Sequence, residues 1–193
     1  MPIDASADPP ERPALTGRAA EIVATARRVL DADGPDALTM RRIGDELGMK
    51  APSLYKHFAS KAAIEGVLIE TGFEDIGRTL RRAIDGLSPG AAVEPLLQDY
   101  RRIALEQPNL YRLATIGPLD RASLTPGLED WSGEPFLLVM GEPHLAQAVW
   151  SAAHGMVSLE LDGRYPPDSD LDRLWAAAAS AFSAALRPAR GRR

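Results

Sequence analysis

Apolar residues that recur at helical spacing between glycine and proline breaks restrict the fold of this 193-residue sequence more than any other feature. Within residues 16–30, four apolar side chains share one helical face. The run Asp33-Gly34-Pro35 then ends that pattern, because glycine suits a left-handed helix cap and proline cannot continue a helix. No segment alternates with the period of two that marks a strand between hairpin turns. The sequence therefore predicts an all-α protein.

The same breaks divide the chain into about nine predicted helices, with three short ones in the first third. Residues 1–14, rich in Asp, Ala and Pro, are predicted to be a disordered tail, and residues 188–193 a basic tail. The helices are expected over residues 16–30, 40–47, 52–58, 60–85, 91–106, 109–116, 128–140, 143–161 and 169–187.

Cysteine is absent from the sequence, which excludes disulfides, thiolate metal sites and cysteine nucleophiles. No apolar run approaches the roughly 20 residues that a membrane-spanning helix needs. The first 13 residues carry four prolines and no apolar core, unlike a secretory signal. We therefore expect a cytoplasmic protein without a membrane partner.

The charge is distributed unevenly along the chain. The formal net charge is −5, yet residues 38–61 carry five basic and two acidic side chains, so the rest of the chain sums to −8. All three lysines lie within residues 50–61. A small basic segment is often only a solvated face, but a basic module on an acidic body also suits a protein with one localised polyanion site.

Two short predicted helices flank Gly48 and form a candidate helix-turn-helix. Thr39 is a good N-cap for the first, whose apolar residues share a face and support the second. In the second, Leu54 and Phe58 lie four residues apart and are expected to face inward. The polar side chains left outside can donate to phosphates and base edges in a major groove, although they could also simply rim a helical core. They are Ser53, Tyr55, Lys56 and His57.

The stretch LTMRRIGDELGMKAPSLYKHFASK, residues 38–61, resembles the DNA-binding domain of the TetR family of bacterial transcriptional regulators. Its most specific part is Leu54-Tyr55-x-His57-Phe58-x-x-Lys61 after Leu47-Gly48. The resemblance implies a DNA-binding domain over residues 15–75, with its motif at 38–58, in a homodimer whose subunits each contact half of a near-palindromic operator.

The resemblance also implies the roles of single residues. Tyr55, His57 and Lys61 are expected to contact phosphates, and Ser53 and Lys56 to lie near bases. Ala51 stands where many relatives place a capping serine. The other DNA-contacting candidates are Thr39, Met40 and Arg41 at the start of the supporting helix, and Pro52 with Ala51 on the recognition helix.

The segment from Trp150 to Leu161 resembles the tryptophan-histidine-glycine type of TetR C-terminal domain, which implies a helical ligand-binding and dimerisation domain over residues 76–187. Each candidate could instead be ordinary core, and the last helix could cover only its own subunit. The ligand-binding candidates are Tyr100, Tyr111, Trp131, Phe136, Met140, Trp150 and His154. The dimerisation candidates are Leu171, Leu174, Trp175, Ala178 and Phe182.

These features predict a transcriptional regulator, most simply a repressor that a small-molecule effector releases from its DNA operator. The alternatives are an activator, or a helical small-molecule-binding protein or enzyme that no longer binds DNA. The sequence has no phosphate-binding glycine loop, nucleophile elbow or dinucleotide fingerprint, and its three histidines lack metal-ligand spacing. We therefore expect neither an enzyme nor a cofactor or metal.

Overall fold

A computed structural model describes residues 1–15 and 17–186 of the chain. Nine α-helices and two short 3-10 helices, Pro35–Ala37 and Arg121–Ser123, make up this part, which holds no strand. The all-α prediction is confirmed, whereas the basic tail predicted at 188–193 lies outside the described residues. The α-helices are α1 (Gly17–Asp33), α2 (Met40–Leu47), α3 (Ala51–Leu54), α4 (Lys61–Ile84), α5 (Pro89–Glu106), α6 (Pro108–Thr115), α7 (Leu128–Met140), α8 (Pro143–Leu161) and α9 (Leu171–Ala185).

The chain forms two compact units. The N-terminal unit comprises Pro9–Asp75 and Gln107–Glu129, and the C-terminal unit comprises Met1–Asp8, Ile76–Glu106 and Asp130–Arg193. The two units divide within α4, between residues 75 and 76. Residues 107–129, however, pack with the DNA-binding segment, because breaks in a sequence pattern do not show which segments pack together.

The N-terminal unit is built around α1, which packs against both α2 and α6. α2 in turn packs against α3. Burying these apolar side chains stabilises the unit and fixes the short helices on the longer ones. The core consists of Ile22, Ala26, Val29, Leu30, Leu38, Ile43, Leu54, Phe58, Ile64, Leu68 and Leu110.

In the C-terminal unit, α5 packs against α8 and α9. Arg101 of α5 donates to Glu160 of α8 at 2.7 Å and to Asp172 of α9 at 2.6 Å. The indole Nε1 of Trp175 donates to the same Glu160 carboxylate at 3.0 Å, and the Trp175 side chain is 0% exposed. Trp175 is therefore a core residue of its own chain, which corrects its prediction as a dimerisation residue.

The first fourteen residues differ from the predicted disordered tail. Ile3 is buried, and its backbone exchanges hydrogen bonds with Leu87 O at 2.8 Å and with Gly86 N at 3.0 Å. Further along, Arg12 forms ion pairs with Glu70 at 3.1 Å and Glu74 at 3.0 Å. The acidic, proline-rich composition predicts disorder. The segment is instead held by the burial of Ile3, by its backbone hydrogen bonds and by the two ion pairs of Arg12.

Candidate nucleic-acid interface

α2 carries a hydrogen-bonded cap at each end. Thr39 Oγ1 accepts from the backbone N of Arg42 at 3.1 Å, which confirms the predicted N-cap. Gly48 ends the helix with φ +62°, a left-handed conformation that glycine adopts at no steric cost. The backbone N of Met49 then donates to Gly44 O at 2.8 Å. These bonds define the turn that joins α2 to α3.

Gly44 lets the turn and α3 approach α2 closely. A Cβ at this position would lie 2.9 Å from the backbone oxygen of Met49 and 3.2 Å from Leu54 Cδ1. Leu54 of α3 is fully buried. The absence of a side chain at residue 44 therefore sets how α3 rests on its supporting helix.

The recognition segment is shorter than predicted, because α3 ends at Leu54 and a hydrogen-bonded turn follows. In that turn, the backbone N atoms of His57 and Phe58 both donate to Leu54 O, at 2.9 and 3.1 Å. Leu54 and Phe58 are buried as predicted. Tyr55 is 52% exposed, and Lys56 and His57 are exposed as well. The polar side chains thus lie on the outside of the unit.

The other predicted DNA-contacting residues differ in how exposed they are. Pro52 is exposed in α3, and Ser53 beside it is half-buried. Ala51 begins α3, but its side chain lies outside what the structure describes. At the start of α2, Thr39 and Arg41 are exposed and Met40 is half-buried against the core.

The basic side chains of residues 38–61 differ in how closely they pair with carboxylates. Arg42 lies 3.3 Å from Asp33 and 3.0 Å from Glu46. Lys61 pairs with Glu65 at 3.0 Å, whereas the exposed Arg41 makes only a long contact of 3.8 Å to Asp45.

Lys50 and Lys56 are exposed and form no ion pair within the described parts of the chain. Lys50 belongs to the basic segment of residues 38–61 but is not among the predicted DNA-contacting residues. Its position just before α3 could have suggested such a role.

The ligand-binding candidates do not form one group. In the C-terminal unit, the rings of Tyr100 and Phe136 meet edge to face with centroids 5.5 Å apart, and Trp131 and Met140 are also buried. Tyr111 is buried in the N-terminal unit instead.

Trp150 lies on the outer face of α8 and is 43% exposed. Its ring stacks on His154 with centroids 5.9 Å apart, and partial burial lowers the pKa of the His154 imidazole. Val149 and Ala153 of the same helix are fully buried. The Trp150–His154 pair is therefore a surface feature of the single chain.

The outer face of α9 consists mostly of alanines, among them Ala177, Ala181 and Ala184. The other predicted dimerisation residues are half-buried beside this face: Leu171, Leu174, Ala178 and Phe182.

Residues 1–15 and 17–186 contain no cluster of three or more His, Cys, Asp or Glu side chains that could hold a metal ion. Within the same residues, no helix is both long and apolar enough to cross a membrane. A capped helix, a glycine turn and a second short helix flanked by the exposed Lys50 and Lys56 define a helix-turn-helix DNA-binding protein.

Comparison with protein families identifies both parts of the chain. Residues 22–64 match the family model for bacterial regulatory proteins of the TetR family, and residues 93–182 match the tetracyclin repressor-like C-terminal domain. The HTH-type transcriptional regulator Rv0681 of Mycobacterium tuberculosis is 33% identical over 162 residues, which cover 79% of this chain and 73% of that protein. The chain belongs to the TetR family and is a DNA-binding transcriptional regulator rather than an enzyme.

Solved structures share the fold. A protein of unknown function from Rhodococcus sp. RHA1 superposes with a TM-score of 0.76 at 22% identity, covering 92% of this chain and 100% of the other. A TetR variant from Acinetobacter baumannii AYE, solved in complex with minocycline, superposes with a TM-score of 0.62 at 17% identity, covering 92% and 100%.

Proposed function

We propose that this regulator is a homodimeric repressor that leaves a near-palindromic operator when a small-molecule effector binds. The observation that supports DNA binding by this segment is the exposure of Tyr55, Lys56 and His57 around the buried Leu54. A recognition segment anchored on one side and polar on the other suits insertion into a major groove. Acting on chromosomal DNA, the protein would work in the cytoplasm.

In this proposal, Tyr55, His57 and Lys61 contact phosphates. The Lys61–Glu65 pair is partly exposed and so contributes little, which allows Lys61 to exchange its carboxylate for a phosphate. Lys56 and Ser53 lie near bases. The residues expected to flank them along the DNA are Thr39, Met40, Arg41, Lys50, Ala51 and Pro52.

The dimer interface in this proposal is formed by the outer faces of α8 and α9. The small side chains of α9, such as Ala177 and Ala181, allow close approach of helices from two subunits, which would form a four-helix arrangement. We assign Trp150 to this interface rather than to a ligand pocket, because it is exposed on the outer face of α8. A large aromatic side chain at that position would otherwise stay in water.

The effector site in this proposal lies in the C-terminal unit beside Tyr100, Trp131, Phe136 and Met140. These side chains are buried and apolar or aromatic, which is typical of small-molecule sites. That a structurally similar TetR is solved with minocycline supports a ligand role for the fold. A coupling of about 1–3 kcal/mol would change operator affinity roughly 5–150-fold.

Selection of DNA from a random library, read at two salt concentrations, tests the proposal. We expect a palindrome whose affinity falls steeply as salt rises, because each phosphate contact releases counterions. Lys56→Ala should lower the affinity, whereas Arg82→Ala, an equal charge change on an exposed residue of α4, should not. Failure of folded, dimeric protein to enrich any sequence would contradict the repressor and favour a helical small-molecule-binding protein.

A further inference from the structure

Arg81, near the end of α4, is a buried cation whose hydrogen-bonding capacity is only partly used. Its side chain is 6% exposed, and Nη2 donates both to the backbone oxygen of Trp131 at 3.1 Å and to the carboxylate of Glu134. Its Nε is buried and has no hydrogen-bond partner. Buried donors are nearly always paired, and an unpaired one on a charged group is costly.

Pro135 explains one of these contacts. In a helix, the carbonyl of Trp131 would accept from the backbone N–H of residue 135, and proline has none. Arg81 Nη2 supplies the missing donor. This capping role accounts for the position of the guanidinium but leaves Nε without a partner.

The counter-ion of Arg81 comes from the surface. The side chain of Glu134 is 43% exposed, so its carboxylate can turn away from Arg81 and be hydrated by solvent. Two further arginines, Arg78 and Arg82, lie within three residues of Arg81 on α4 and add positive charge at this end of the helix.

Trp131 provides a fixed aromatic wall beside this cation. The guanidinium carbon of Arg81 lies 4.7 Å from the centroid of the Trp131 ring. The ring also packs so closely on Gly77 that a Cβ there would lie 2.2 Å from it, and its Nε1 donates to Ala7 O at 3.0 Å. The indole is therefore held by packing and by a hydrogen bond.

We propose that the effector is a small carboxylate, bound when its carboxylate replaces that of Glu134 on Arg81 while its apolar body lies near Trp131. A guanidinium can bind a carboxylate through two parallel N–H groups, and the unused Nε offers the second. This inference rests on the proposed effector-controlled function and adds the chemical class of the effector. Glu134 acts as an internal competitor that occupies the cation in the free protein.

Calorimetric titration of the full-length protein at constant ionic strength tests the inference with acetate, benzoate and octanoate, each compared with its neutral amide. At least one carboxylate should bind about tenfold more tightly than its amide, since hydrogen bonds to a charged group are the stronger ones. Glu134→Gln should tighten the binding of that carboxylate because it removes the competitor. Arg81→Gln should weaken it about tenfold, while Arg82→Gln on the exposed face should not.

Equal binding of all three acids and their amides overturns the inference, as does weaker carboxylate binding by Glu134→Gln. The comparison of acids with amides and the titration of Glu134→Gln both use proteins that keep Arg81. They therefore test the inference even if Arg81→Gln does not fold. The operator selection separates the two proposals. A selected operator without any preference for carboxylates refutes only the effector class, whereas carboxylate binding without an operator refutes only the repressor.

Discussion

Replacing Gly44 by alanine should destabilise the helix-turn-helix although it improves the intrinsic helix propensity of α2. The new Cβ would lie 2.9 Å from the oxygen of Met49, which belongs to the backbone and cannot rotate away. Met49 is itself tied to residue 44 by its N–H bond of 2.8 Å to Gly44 O. The clash can therefore be relieved only by moving the turn and, with it, Leu54 and α3.

The magnitude follows from two opposing terms. Exchanging glycine for alanine inside a helix contributes about 1 kcal/mol of stability. Overpacking costs about 1–3 kcal/mol, and the rigid backbone neighbour places this site at the upper end. The net loss is about 2 kcal/mol, which lowers the Tm by about 4–8 °C in a chain of this size.

Gly66→Ala is the matched control, because Gly66 also lies inside a helix, α4, but apart from the adjacent backbone of that helix no atom lies within 4 Å of its hypothetical Cβ. This variant should be more stable than the unmodified protein by about 1 kcal/mol. Urea unfolding measures both, and operator affinity should fall at least tenfold only in Gly44→Ala. The reasoning is refuted if Gly44→Ala is as stable as Gly66→Ala.

Other substitutions test separate contacts. Thr39→Ala should lower the free energy of unfolding in urea by about 1 kcal/mol because α2 loses its N-cap. Thr39→Ser keeps a capping hydroxyl and should retain most of that stability. Arg101→Met should cost about 3 kcal/mol by leaving the largely buried Glu160 carboxylate without its cation; a loss below about 1 kcal/mol would contradict this role. Burial raises the pKa of Asp75, so the folded state favours the neutral acid and loses stability as pH rises through that pKa. Asp75→Asn should accordingly be more stable than the unmodified protein at pH ~7, and this gain should vanish below the unfolded pKa of about 3.9. Trp150→Glu should yield monomers in sedimentation velocity, and an unchanged dimer would remove Trp150 from the interface.

The features that the sequence predicts correctly are local ones. Thr39 as a cap, Gly48 as a terminator, and Leu54 with Phe58 as inward anchors all follow from residue type and from spacings of a few residues. Local backbone geometry decides each of them, because a cap bonds within its own turn and residues four apart share a helix face. For the same reason, the bounds of most helices agree with the structure to within a few residues.

Predictions that depend on contacts with residues far away in the sequence were less accurate. Trp175 belongs to an apolar stripe that suits an interface, yet its nitrogen bonds to Glu160 and its ring is covered within the chain. Ile3 lies in a segment of disordered composition, yet backbone groups of residues 86 and 87 hold it. Neither partner could be identified from periodicity, which gives the face of a residue but not what covers that face.

The helix α7 shows how a long-range contact changes the meaning of a local signal. Pro135 lies inside this helix, where a proline costs about 3 kcal/mol or more if nothing compensates for it. The helix is nevertheless continuous, because Arg81, 50 residues earlier, donates to the carbonyl that the proline leaves unpaired. The compensation brings a guanidinium into the interior of the C-terminal unit, where one of its donors remains unpaired. A proline that would break an isolated helix is thus compensated by a buried cation, and in the effector site proposed above that cation would discriminate a carboxylate from its neutral amide.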